Sequence, residues 1–233
     1  FGDRRQATPM QVKQALDRAL LDASVTFVLA SYPTGVLRDA GSLPAGVVMA
    51  NRAGRQAVVA KVLVDASHRG WVARMAGARC HPWPDEKIAL RRTVLGGTPT
   101  TEVQPEREIP CAAVDGHEGE VYREYRLDLS LPSGDYVALA QAEQEARDLT
   151  RGTGQLRASE QLYFVPPDPV VGNRAACQWK GLGEAALPHF QPQGVERLYL
   201  VSAAADVPSD EAEGLLRPVG SEALGALVGG AAA

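Results

Sequence analysis

Residues 53–78 read A-G-R-Q-A-V-V-A-K-V-L-V-D-A-S-H-R-G-W-V-A-R-M-A-G-A, and this stretch decides the fold class. A turn at Asn51-Arg52-Ala53-Gly54 leads into the run Val58-Val59-Ala60-Lys61-Val62-Leu63-Val64. A run this continuously apolar is expected to be one long strand covered on both faces, as in the middle of an α/β sheet. Asp65-Ala66-Ser67-His68-Arg69-Gly70 then forms a small-residue corner at the carboxyl end of that strand, before a helix starts. In open α/β sheets ligands bind at such carboxyl ends.

Bulk composition bounds the rest. The chain has 233 residues, 45% hydrophobic and 22% charged, with a net charge of −4. That is enough for one large domain or two small ones. Basic and acidic residues are interspersed, which argues against nucleic acid as a partner. No apolar run is long enough to span a membrane. The three cysteines, Cys80, Cys111 and Cys177, are odd in number and far apart, so neither a disulfide framework nor a metal site is expected. The chain opens on Phe1 and enters Gly2-Asp3-Arg4 directly, so a further segment is expected upstream. Any targeting signal is expected there too. Localisation is left open, with the cytoplasm favoured.

Working outward, Thr8-Pro9-Met10-Gln11 is a helix start with a capping box, and Val12, Leu16, Leu20 and Ala23 recur at helical spacing as one buried stripe. Val25 to Ala30 reads as a strand, Tyr32 to Gly35 as a bend, and Val36-Leu37 and Ala45 to Ala50 as strands of a short meander. Strands are expected at Arg92 to Leu95, Ile109 to Val114 and Glu120 to Ser130, the last alternating as a half-exposed antiparallel strand does. Asp135 to Leu149 is a helix closed by Gly152-Thr153-Gly154. Gly181-Leu182-Gly183-Glu184-Ala185-Ala186 matches a dinucleotide fingerprint, but no long strand precedes it and Pro188 breaks the helix that should follow. Val195 to Val207 is a buried strand ending in small residues and Asp206, and a glycine-rich helix begins near Pro218-Val219-Gly220.

The order helix, strand, meander, apolar strand with Asp65-Ala66-Ser67, then Ala73-Arg74-Met75-Ala76-Gly77-Ala78, resembles the later part of the FAD-binding domain of glutathione-reductase-type flavoproteins. More narrowly it resembles the bacterial FAD-dependent oxidoreductase family. Ser67 stands for that family's Thr, and His68 for its Gly. The resemblance implies an FAD/NAD(P)-binding, Rossmann-like three-layer α/β fold, with a central parallel sheet, a β-meander and an inserted antiparallel β-rich substrate domain. It implies boundaries at 1–80 and 193–233 for the two FAD-binding parts and 81–192 for the insert. It implies FAD as cofactor, with Asp206 on the ribityl chain, Ala205 in place of the motif's Gly, and Pro218, Val219 and Gly220 at a helix N-terminus beside the flavin. Ser67, Ala66, Thr34 and Lys13 are further cofactor positions that it implies. The family's first βαβ unit, with its G-x-G-x-x-G, has no counterpart in the sequence. Another chain or an upstream segment is expected to supply it.

Two functions follow as expectations. One is a part or subunit of an FAD-dependent oxidoreductase that moves a hydride from a small organic substrate to the flavin. The other is a non-catalytic, partner-binding module of the same ancestry without cofactor. His81, His117 and His189 fall in loops, with no Asp or Ser arranged beside them in sequence, and no catalytic residue stands out.

Overall fold

The computed structural model describes residues 9–83, 87–111, 116–159, 162–173, 179–181 and 184–233. In chain order the elements are α1 (Pro9–Asp22), β1 (Tyr32–Arg38), β2 (Pro44–Asn51), β3 (Gly54–Val59), β4 (Leu63–Asp65), α2 (Trp71–Met75), β5 (Lys87–Leu95), β6 (Arg107–Pro110), β7 (Val121–Ser130), α3 (Tyr136–Leu149), β8 (Arg157–Ala158), β9 (Leu198–Leu200), α4 (Ser209–Ala212) and α5 (Pro218–Ala232), with single 3₁₀ turns at Leu187–Phe190 and Glu213–Leu216. The chain divides into two compact units. One holds Phe1–Leu29 and Lys87–Tyr163, the other Ala30–Glu86 and Phe164–Ala233.

The first unit carries a four-stranded sheet in the order β6-β7-β5-β8, all pairs antiparallel. Its alternation is the expected one. Tyr125, Leu127 and Leu129 on β7 are buried while Arg126, Asp128 and Ser130 are exposed. Across the ladder Ile88 faces Leu129 and Leu90 faces Leu127, which makes one apolar side. α3 contributes Ala138, Leu139, Ala142 and Ala146 to the buried side, whereas Tyr136 in its first turn is exposed. Asp135 caps α3 by accepting the Ala138 N–H at 2.9 Å, and this bond together with the Ser133 hydroxyl holds its carboxyl below the usual range. Arg92 is buried, its guanidinium donating to the Arg147 carbonyl and the Thr150 hydroxyl at the carboxyl end of α3. A cation suits that end of a helix dipole. Burial nevertheless lowers the Arg92 pKa.

α1 forms where its periodicity predicts, but its stripe is not buried. Val12, Leu16 and Leu20 are all exposed, Leu16 by 60%. Helical spacing reports which residues share a face, not whether anything covers it. Thr8, the expected cap, lies outside the described residues. Val25 to Ala30 is not a strand. Ser24 and Ala30 bracket it with positive φ, no strand pairs with it, and Val25, Phe27, Val28 and Leu29 are exposed.

The second unit holds an antiparallel meander, β1-β2-β3, and a parallel pair, β4-β9. Here the apolar run of residues 58–64 departs from expectation. It is not one strand covered on both faces. β3 ends at Val59 as an exposed edge of the meander, with Val58 51% and Val59 81% exposed, and after Ala60–Val62 the chain starts β4 in a different sheet. β4 pairs with β9 in parallel, Leu63 with Leu198 and Asp65 with Leu200. Tyr32 to Gly35 is likewise no bend but the start of β1, with a bulge at Thr34 where Pro33 pairs with Met49 and Gly35 with Val48. The core of this unit is built from Leu63, Val72, Leu198, Leu200, Leu224 and Val228.

Candidate functional site

Two segments leave the carboxyl ends of β4 and β9 side by side, because the strands are parallel and in register. After β4, the Asp65 carboxylate is buried and fully engaged. Oδ1 accepts the Ser67 N–H at 2.9 Å and the Ser67 hydroxyl at 2.6 Å, and Oδ2 accepts the Ala73 N–H at 2.9 Å. The Ser67 hydroxyl also accepts the Trp71 N–H at 2.7 Å. These bonds close the corner and start α2, so the hydroxyl expected to meet the cofactor is committed within the chain. Ala66 is exposed beside it.

His68 is not where the corner needs a glycine. Its φ is not positive; Gly70 takes the left-handed conformation instead, at φ 65°. A Cβ there would stand 3.1 Å from Leu200 Cδ1 and 3.3 Å from Val170 Cγ2. The His68 ring packs edge-on against Phe164, with centroids 4.6 Å apart. The neighbouring Arg69 and Arg74 both donate to the Asp168 carboxylate, at 3.2 and 2.9 Å, and Arg74 adds a bond to the Asp168 carbonyl. This clamp ties the corner to the Pro166–Pro169 loop. Cys80 lies near it, its thiol pKa raised mainly by burial, which keeps the sulfur protonated.

After β9, Ala203, Ala204 and Ala205 are buried and Asp206 is 3% exposed. Asp206 Oδ1 stands 3.0 Å from His81 Nε2, and Oδ2 accepts the Gly172 N–H at 3.0 Å. Gly172 has no room for a side chain, since a Cβ would lie 2.9 Å from Asp206 Cβ and 2.8 Å from the His189 carbonyl oxygen. His81 is therefore not the solvated loop histidine its sequence context suggests. Its backbone N–H donates to the Pro169 carbonyl at 2.8 Å, beside a bridge between Cys80 and Val170.

α5 begins at Pro218, as expected, with Val219 and Gly220 in its first turn and no side-chain cap. Such a terminus leaves N–H groups for an electronegative ligand. Gly220 itself is required by packing, because a Cβ would sit 2.3 Å from the Gly214 carbonyl oxygen.

Of the expected cofactor residues, Ala66 and Ser67 follow β4 directly, while Ala205 and Asp206 stand in the turns beyond β9, in the same unit. The helix led by Pro218, Val219 and Gly220 packs its Leu224 and Val228 into the same core. Thr34 lies on β1 of that unit, its hydroxyl on the Val48 carbonyl at 3.3 Å. Lys13 belongs to the first unit and pairs with Asp17 one turn on. The sequence reading did not single out His81, Gly172 or the Arg69–Arg74–Asp168 clamp. No sequence signal joins them, because their partners lie far along the chain.

The family model for FAD-dependent oxidoreductases matches residues 2–204. The chain belongs to that family. Solved structures of similar fold include a geranylgeranyl bacteriochlorophyll reductase-like protein from Thermoplasma acidophilum (TM-score 0.50, 12% identity, 97% of this chain and 62% of that one). Others are the anhydrotetracycline hydroxylase OxyS from Streptomyces rimosus (0.49, 12%, 96% and 43%) and Tar14, a tryptophan C-6 flavin-dependent halogenase from taromycin biosynthesis (0.49, 14%, 94% and 40%). The chain spans between 40% and 62% of the length of these three proteins. No curated protein sequence matches it. The α/β fold, with its parallel pair, meander and antiparallel sheet, is that of FAD-binding flavoproteins. Among the described residues no helix is long and apolar enough to cross a membrane.

Proposed function

We propose that this chain is the flavin-cradling and substrate-binding part of an FAD-dependent oxidoreductase acting on a small organic molecule. The observation that supports the reading is the parallel pairing of β4 with β9, from whose carboxyl ends the segments carrying Ser67 and Asp206 leave, in a chain of this family. When bound, FAD would supply the redox chemistry, as the acceptor of a hydride. The residues that would hold it are those after β9, with the uncapped N-terminus of α5 favouring negative charge on the flavin ring. The antiparallel sheet of the first unit is the natural substrate platform.

The proposal includes a partner for the parallel pair. Successive residues of a strand turn their backbone groups to opposite sides. The Leu63 N–H and the Asp65 carbonyl bond toward β9, so Val64 presents its N–H and C=O to the other side, with its side chain 48% exposed. That edge fits one more parallel strand, and the occupant proposed is a dinucleotide-binding βαβ unit from another polypeptide or an upstream segment. A second reading, a partner-binding module without cofactor, is favoured by the internal commitment of the Ser67 hydroxyl and the Asp65 carboxylate.

Purification decides between the readings. Visible flavin absorption that co-elutes with this chain, and FAD released on denaturation, are expected. A colourless protein that takes up no FAD removes the enzyme reading. A stable, flavin-loaded monomer of these residues alone, by size-exclusion and mass spectrometry, removes the partner.

A further inference from the structure

We infer that His81, rather than Asp206, is the side chain that meets the flavin's polyhydroxylated ribityl chain, and that Asp206 acts by orienting it. This rests on the flavin reading proposed above. The argument starts from burial. The Asp206 side chain is 4% exposed and that of His81 is 43% exposed, so a ligand approaching this carboxylate from solvent reaches the imidazole first. The carboxylate is also held from two directions, by His81 Nε2 on Oδ1 and by the Gly172 N–H on Oδ2. The Gly172 contact cannot move without loosening packing, since Gly172 lies against Asp206 Cβ with no space to spare.

An ionised carboxylate only accepts, so it selects the ring form in which Nε2 carries the proton. The neutral ring then offers the Nδ1 lone pair, an acceptor matched to a hydroxyl donor. The backbone bond from His81 to Pro169 fixes where that acceptor stands. None of the other histidines combines these properties. His189 is buried with Nδ1 on the Ala186 carbonyl, His68 packs on Phe164, and His117 belongs to the other unit.

The test is FAD affinity in a two-residue cycle, on the protein assembled with whatever unit completes its sheet. His81→Ala is expected to weaken FAD binding roughly three- to tenfold, the worth of one hydrogen bond. Asp206→Asn is expected to weaken it by a similar factor, and the double variant no further, because the two residues act in series. Loss of affinity in Asp206→Asn with none in His81→Ala, or two losses that multiply, overturns the inference. In the unsubstituted protein, the ¹⁵N resonance of His81 Nδ1 is expected to shift on FAD loading, a signature that packing alone does not produce. An unmoved resonance overturns the inference even if Asp206→Asn fails to fold. A wild-type protein that binds no FAD instead overturns the flavin reading, before any variant is compared.

Discussion

Asp65, the last residue of β4, and Asp206, in the turns that follow β9, are both buried aspartates, yet they are satisfied in opposite ways. Asp65 finds all its donors within eight residues, on Ser67 and Ala73. Asp206 draws one donor from Gly172 and faces an imidazole 125 residues away in sequence. The first is a local device that shapes a corner and caps a short helix. The second joins remote segments and keeps a half-exposed ring at the end of the chain of contacts. A carboxylate whose partners are all backbone and serine in its own turn serves folding, whereas the one that orients a side chain open to solvent is the one proposed to serve a ligand.

That contrast can be broken by stability measurements on flavin-free protein. Asp65→Ala should have the largest effect, about 3 kcal/mol by denaturant unfolding, because it strands the buried Ala73 N–H and the half-buried Ser67 N–H. A loss below 1 kcal/mol on this scale would mean that water or neighbours replace the carboxylate, and that Asp65 is not the corner's anchor. Gly70→Ala comes next, at about 1–2 kcal/mol, from forcing a side chain into the left-handed region against Leu200. A neutral result would show that the corner relaxes and does not set the geometry after β4. His81→Ala should have the smallest effect, within about 0.5 kcal/mol, since the ring is half exposed. A large thermal destabilisation there would turn His81 into a structural residue and erase the distinction from Asp65.

The sequence carried the order of the elements better than their partners. The alternation of β7, the helix α3 and the start of α5 at Pro218 follow directly from period and punctuation. The run of residues 58–64 misled because apolar residues attract burial regardless of which sheet provides it. Nothing in Val58-Val59-Ala60-Lys61-Val62 signals that the chain changes sheets, though the lysine sits where it does so. α1 misled for a related reason, since a periodic stripe says nothing of its cover. At the site, Asp206 was legible only as the acidic residue after an apolar run: the strand expected over Val195 to Val207 shrinks to β9, Leu198–Leu200, and Asp206 stands in the turns that follow it. His81 was not legible, because a histidine after a helix-breaking corner takes its meaning only from the carboxylate that folding brings to it. The glycine that matters in the corner, Gly70, was passed over for the absent one at position 68. Local sequence shows where a glycine stands in a motif but not which residue the backbone will turn left-handed.

The β4–β9 pair has a consequence for how the chain comes to be folded. β4 is made early, but its partner strand Leu198–Leu200 emerges only after the entire Lys87–Tyr163 segment. Parallel pairing across so long a sequence separation is slow, and it leaves the waiting strand's apolar residues uncovered during synthesis. The antiparallel sheet, whose strands all lie between Lys87 and Ala158, can close first and shorten the loop that remains. The carboxyl ends of the parallel pair are then assembled after the antiparallel sheet. A nascent chain stalled before residue 198 would hold a finished β-rich unit and an exposed Val64, a species that chaperones bind and that aggregates when they are scarce.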